Sequence, residues 1–199
     1  IFLMIKKKDA LFYTRYLQYK FYFMDDKYIK SLFLLEKYLF ENFNFDEEIP
    51  ISNLKYKWIY DCIHNNDYSN EVSKDYEIFS ELENKKEILN LIDSFSQIPN
   101  FKNQEDFFTY LNIFNNLFNS LLNYNSKKKF KTSVLFQFVL LIYVNKYKVS
   151  NVVKNKIDYS LQSLDYFEFI LVNIFFKDFN YKISKFNYLV KLLLGFLKR

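Results

Sequence analysis

Apolar residues recur at helical spacing along most of the chain, and short polar links separate the apolar stretches. The clearest stretch is 28–43, because its apolar residues all fall on one side of a helix with 3.6 residues per turn. The residues predicted to face the core there are Ile29, Leu32, Phe33, Leu35, Leu39 and Phe40. The same spacing predicts further helices over residues 9–24, 71–96, 103–122, 151–163 and 183–197. The pattern therefore predicts a mainly α fold, built as a helical bundle.

Two segments fit more than one kind of element. Residues 54–63 alternate enough for a short strand or a helix. Residues 134–149 fit either one helix or two strands, and their β-branched and aromatic content favours strands. Since the basic loop 123–133 precedes them, the bundle is expected to include a basic β-hairpin. Pro50 predicts a loop over 45–52, because proline cannot continue a helix.

No segment is long and apolar enough to be expected to span a membrane. The strongest run, Val134–Val144, holds 11 residues including a Gln, against the roughly 18 that a spanning helix needs. We interpret it as a core element. A chain of 199 residues is expected to form a single domain, with room for a small second lobe.

The chain has too few Gly, Cys and His residues for most common active-site motifs. One Gly excludes a glycine-rich phosphate loop and a dinucleotide fingerprint. One Cys and one His exclude a site of several thiolates or a two-His zinc site. We therefore expect no catalytic residue, no metal and no cofactor, and a protein that binds or supports rather than an enzyme. The depleted types have G+C-rich codons, while the abundant Lys, Phe, Asn and Tyr have A+T-rich ones, which indicates an organelle genome or a very A+T-rich nuclear genome.

Three clusters of side chains are candidates for chemical sites. Cys62 and His64 lie two apart and would share a side of a strand, as in a metal half-site or a thiolate–imidazolium pair. The favoured interpretation is a buried cysteine and a surface histidine at a turn. The carboxylates of 46–48 and of Asp25 and Asp26 are interpreted as solvated charge, with 25–27 also capping the helix that follows.

The net charge of +5 conceals a strong partition along the sequence. Residues 1–45 carry +3, residues 46–106 carry −8 and residues 107–199 carry +10. The segment 46–106 is therefore predicted to be an acidic insertion or lobe within a basic body of net charge +13. Such a body suits a polyanion such as RNA, because each neutralised phosphate releases counterions. The alternative is that these lysines only solvate the surface.

The residues predicted to contact RNA form three basic groups, near the N-terminus, in the loop after residue 124 and along the last helix. They are Lys6, Lys7, Lys8, Arg15, Lys30, Lys127, Lys128, Lys129, Lys131, Lys182, Lys185, Lys198 and Arg199. Aromatic rings could supply base-stacking platforms as well, but at helical spacing they are expected to fill the core. The exposed exceptions to be expected, each close to lysine in the sequence, are Tyr124, Tyr147 and Tyr181.

Several motifs, in their order along the chain, resemble the family of small-subunit ribosomal protein seven. The sequences DALFYT at 9–14 and FMDDKYIKS at 23–31 are similar to that family's opening motifs. The sequence NLFN at 116–119, followed by Lys127 and Lys128, is similar to a later helix end with paired basic residues. The segments 164–177 and 182–197 are similar to its closing helix pair.

The resemblance implies a structural protein that binds rRNA in the head of a small ribosomal subunit, next to other ribosomal proteins in a large assembly. Together with the codon bias, it places the chain on the ribosome of the mitochondrial matrix. The alternative is an accessory structural subunit of a respiratory-chain or ATP synthase complex, with its aromatic helices packed on partner proteins.

Overall fold

The computed structural model describes residues 15–23, 26–43, 49–98 and 104–124. Within them 83% of the residues are helical and no strand occurs, so the mainly α prediction is confirmed. The chain divides into two compact units, one of residues 1–22 with 131–199 and one of residues 23–130. The predicted hairpin at 134–149 and the helices predicted beyond it lie outside the described residues. So does the first part of the helix predicted over 9–24.

In the first unit the described residues form helical turns. An α-helical turn over 15–18 leads into a π-helix, Tyr19–Phe23. Arg15 is buried, and its guanidinium donates a hydrogen bond of 2.8 Å to Oε1 of Gln18, which is buried too.

The described residues of the second unit form five α-helices and a 3₁₀-helix. The α-helices are α1 (Lys27–Glu41), α2 (Ile49–Asn65), α3 (Glu71–Lys74), α4 (Lys85–Ser96) and α5 (Gln104–Leu122), and the 3₁₀-helix is Glu77–Glu81. Helix α1 confirms the predicted helix over 28–43 and buries all six of the apolar residues that its pattern assigned to the core. Its start is fixed by Asp26, because Oδ1 accepts a hydrogen bond of 3.1 Å from the backbone N–H of Ile29. Helix α5 confirms the helix over 103–122.

Helix α2 settles the choice between strand and helix at 54–63 and corrects the loop predicted over 45–52. The helix already begins at Ile49, with Pro50 in its first turn. Proline is tolerated there because the N–H groups of the first turn have no partner within the helix in any case.

Asn66 ends α2 in the left-handed conformation that glycine usually supplies, with φ of 55°. The N–H of Asp67 donates to the carbonyl of Cys62 at 2.8 Å, and the N–H of Asn66 donates to that of Ile63 at 3.3 Å. Asparagine is, after glycine, among the residues that best tolerate this conformation. A helix end of this type therefore forms here without glycine.

The single helix predicted over 71–96 was wrong, since the chain breaks into α3, the 3₁₀-helix and α4. Leu82 takes an extended conformation, with φ of −98° and ψ of 139°, which ends the 3₁₀-helix. Side chains three residues apart eclipse one another at 3₁₀ spacing, and Tyr76 stacks on Phe79 at 6.1 Å in the core. Asn84 then directs its amide inward, donating to the hydroxyl of Tyr28 at 3.2 Å. Residues 71–96 thus pack against α1 instead of continuing as one helix.

The core of the second unit is a cluster of aromatic rings around Phe95 of α4, which is fully buried. Its ring lies 5.0 Å from that of Phe114 on α5, 5.2 Å from Phe40 on α1 and 5.4 Å from Tyr56 on α2. Phe43, which follows α1, packs edge-on against it at 6.0 Å. One side chain therefore joins four helices.

We predict that Phe95→Ala lowers the free energy of unfolding of this unit by about 3–5 kcal/mol, because it leaves a cavity where four helices meet. Phe95→Leu should cause a smaller loss, since it keeps part of the volume. Fluorescence of Trp58, the one tryptophan in the chain, followed during urea unfolding measures the effect. Ile113→Ala on the exposed side of α5 is the control, with a change within about 0.5 kcal/mol. Equal losses for Phe95→Ala and Ile113→Ala would contradict the central position of Phe95.

Candidate functional site

A groove of about 340 Å³ lies between α2 and α4 in the second unit. This volume falls within the range of about 300–1,000 Å³ typical of ligand sites. Four residues of α2 line it at the spacing of one helix face, and three residues of α4 complete it. They are Asn53, Tyr56, Lys57 and Tyr60 of α2, and Ile92, Asp93 and Ser96 of α4.

Lys57 supplies the positive charge of the groove. Its Nζ donates a hydrogen bond of 2.6 Å to Oδ1 of Asp61 and lies 5.3 Å from the centre of the Tyr60 ring. The hydrogen bond to Asp61 is the main reason why the pKa of Lys57 is raised. The side chain is therefore an ammonium group that can attract or repel charge.

The remaining polar groups of the groove include a carboxylate, an amide oxygen and a serine hydroxyl. Partial burial raises the pKa of the Asp93 carboxyl, against a lowering by the Lys57 ammonium. Oδ1 of Asn53 is shielded from solvent and has no hydrogen-bond partner. The Ser96 hydroxyl donates a hydrogen bond of 2.7 Å to the backbone carbonyl of Asp93. The seven lining residues include neither His nor Cys.

Cys62 and His64 point to different sides of α2. Cys62 is buried, and burial is the main reason why the pKa of its thiol is raised. His64 is exposed at the end of the helix, where its ring stacks on Tyr60 at 6.0 Å and Nδ1 lies 3.0 Å from Oδ1 of Asn65. Two residues apart on a helix are about 200° apart around the axis, so the interpretation as a buried cysteine and a surface histidine is confirmed.

Only two of the residues predicted to contact RNA belong to the described part of the chain. Lys30 is exposed on α1. Arg15 is 2% exposed, so burial withdraws its guanidinium from the surface. The rest lie outside the described residues. Those are Lys6, Lys7, Lys8, Lys127, Lys128, Lys129, Lys131, Lys182, Lys185, Lys198 and Arg199.

The aromatic residues of the second unit confirm the expectation that most rings fill the core. Phe40, Phe79, Phe95, Phe114 and Phe118 are all within 1% of full burial. Tyr124 is 46% exposed, as its position near lysine in the sequence predicted. Tyr147 and Tyr181 lie outside the described residues.

The described residues contain neither a cluster of metal ligands nor a membrane-spanning helix. Within residues 15–23, 26–43, 49–98 and 104–124, no three His, Cys, Asp or Glu side chains come together as metal ligands. In these ranges no helix combines the length and the apolar character needed to cross a membrane.

No protein-family model, curated protein or solved structure matches this chain. Its function therefore has to be argued from its own residues.

The groove was not predicted from the sequence. Its residues recur at 53, 56, 57 and 60, which is helical spacing, and Lys57 precedes Asp61 by one helical turn. These signals identify a face only once 54–63 is known to be a helix. The pairing of that face with α4 depends on tertiary packing around Phe95.

We predict that the Cys62 thiol of the folded chain reacts with a disulfide reagent about 100-fold more slowly than that of the urea-unfolded chain. This ratio corresponds to a local opening that costs about 3 kcal/mol. The measurement is the rate of thiolate release by absorbance, and the unfolded chain is its own control. A native rate within a factor of three of the unfolded rate would show that Cys62 is accessible.

Proposed function

We propose that this chain is a structural component of a mitochondrial small ribosomal subunit and binds rRNA through its basic residues. The observation that carries the proposal is the charge partition. A basic body of net charge +13 encloses a segment of net charge −8. Lysine in place of arginine fits an A+T-rich, organelle-encoded gene, but base composition alone does not gather acidic residues in one segment.

The described part of the acidic segment supports this assignment of faces. Residues 49–98 hold nine Asp and Glu against five Lys, and most of these carboxylates are exposed. A surface of this sign repels phosphate. The RNA contacts are therefore assigned to the basic residues on either side of the segment, and the segment itself to protein or solvent.

Phosphate charge, more than base stacking, is the expected source of affinity. Among the described residues of the second unit, most rings are committed to the core. Binding that relies on lysine and phosphate falls steeply as salt rises. It also carries little sequence specificity, as suits a protein that supports the shape of an RNA.

A second candidate is an accessory structural subunit of a respiratory-chain or ATP synthase complex. It is favoured by an exposed apolar stripe on α2, formed by Ile51, Leu54 and Trp58. Such stripes pack against partner proteins. Sedimentation of detergent-solubilised mitochondria distinguishes the two candidates, because the chain travels with rRNA in the first and with inner-membrane complexes in the second.

We predict that Lys127→Glu combined with Lys128→Glu lowers the affinity for rRNA by at least about tenfold at 0.1 M salt and makes its salt dependence shallower. The matched control is Lys74→Glu with Lys86→Glu, which changes the net charge equally at exposed positions of the acidic segment. Filter binding over a salt series measures both. Ribosome incorporation that survives the first pair unchanged, or equal losses for the two pairs, would contradict the proposal.

A further inference from the structure

We propose that the groove between α2 and α4 binds an arginine side chain of a basic partner protein. The inference rests on the proposed function only in that the acidic segment then meets a neighbouring protein of the assembly. Three features of the groove support it: an acceptor without a partner, a carboxylate and an aromatic ring.

The first feature is the amide oxygen of Asn53. This atom is shielded from solvent and accepts no hydrogen bond in the free chain. An acceptor left in that state costs free energy that a bound donor recovers. A guanidinium has five N–H donors and no acceptor, so it matches this atom where an anion would not.

The second feature is the Asp93 carboxylate on the opposite wall. It lines the groove and is exposed, so a bound donor can reach it. Hydrogen bonds from a cationic donor to a carboxylate are stronger than those between neutral groups. The planar fork of a guanidinium can donate to a carboxylate and an amide oxygen at once, which a lysine ammonium does less well.

The third feature is the Tyr60 ring, a face on which a guanidinium stacks favourably. In the free chain Lys57 already lies over this ring at 5.3 Å and attracts Asp93. Lys57 also has its own partner, Asp61, at 2.6 Å. It therefore acts as a competing cation at the groove, and its removal is expected to strengthen the binding of arginine.

The partner is inferred to be a basic protein from the charge around the groove. Residues 49–98 carry a net charge of −4, and exposed acidic residues flank the start of α4. This field attracts a basic segment and repels RNA.

The experiment titrates the full chain with acetyl-(Arg-Ala)₃-amide and with the same peptide carrying citrulline, a neutral isostere of arginine. Trp58, next to Lys57 in the sequence, serves as the fluorescent reporter, and calorimetry gives an independent affinity. We expect the arginine peptide to bind and the citrulline peptide to bind at least about tenfold more weakly, because a charged hydrogen bond is lost.

Four variants test the residues separately. Asp93→Asn should weaken binding by about tenfold and Asn53→Ala by several-fold, since each removes an acceptor or its charge. Lys57→Gln should strengthen it by about threefold, because a like charge is removed. Glu83→Gln, an exposed acid just before α4, is the matched control and should change affinity by less than twofold.

Three outcomes would overturn the inference. Equal weakening by Asp93→Asn and Glu83→Gln would show attraction to the acidic surface as a whole. Equal binding of the citrulline and arginine peptides would show that the positive charge of arginine does not contribute to binding. Weaker binding of the arginine peptide by Lys57→Gln would indicate that the groove is an anion site. Urea unfolding of each variant checks the fold. Binding of rRNA by Asp93→Asn should be unchanged, so a failure of rRNA binding in the unmodified chain overturns the proposed function without touching the groove.

Discussion

Burial of Phe95 is the interaction on which the described fold depends. Its ring touches rings of α1, α2 and α5 at 5.0–5.4 Å, so the positions of these helices are set around one side chain. The chain contains one Gly and one Ala, and its helices therefore have almost no glycine or alanine at which they could approach closely. Large rings fill the space instead, and their combined buried area stabilises the unit. The groove between α2 and α4 follows from this arrangement, since Tyr56 contacts Phe95 and also lines the groove.

The sequence predicted the elements whose apolar spacing is regular and local. Helix α1 shows this best, because its buried face and its Asp26 cap both follow from residues within the helix and its first turn. Helix α2 was ambiguous, since its exposed side carries Ile51, Leu54 and Trp58 and blurs the helical period. The break at Leu82 was not predicted, because it depends on the bond from Asn84 to the distant Tyr28. The groove was missed for the same reason, as its two walls meet only in the folded unit.

Charge and packing act at different levels in this chain. The aromatic core is built by apolar residues of the acidic segment together with α1 and α5, so the segment belongs to the fold whatever binds its surface. Its carboxylates lie mostly outside that core. In the proposed function they keep RNA at the basic residues on either side, while the groove accepts a basic protein. RNA and protein partners are thus assigned to separate parts of one chain.

The most direct test of that assignment is crosslinking of the chain in its native mitochondrial assembly, with the adducts located by mass spectrometry. We predict RNA adducts on lysines of 1–45 and 107–199, and protein adducts on Lys57, Lys74 and Lys86 of the acidic segment. RNA adducts concentrated on these three lysines would contradict it. So would an assembly in which the chain gives protein adducts throughout and none to RNA.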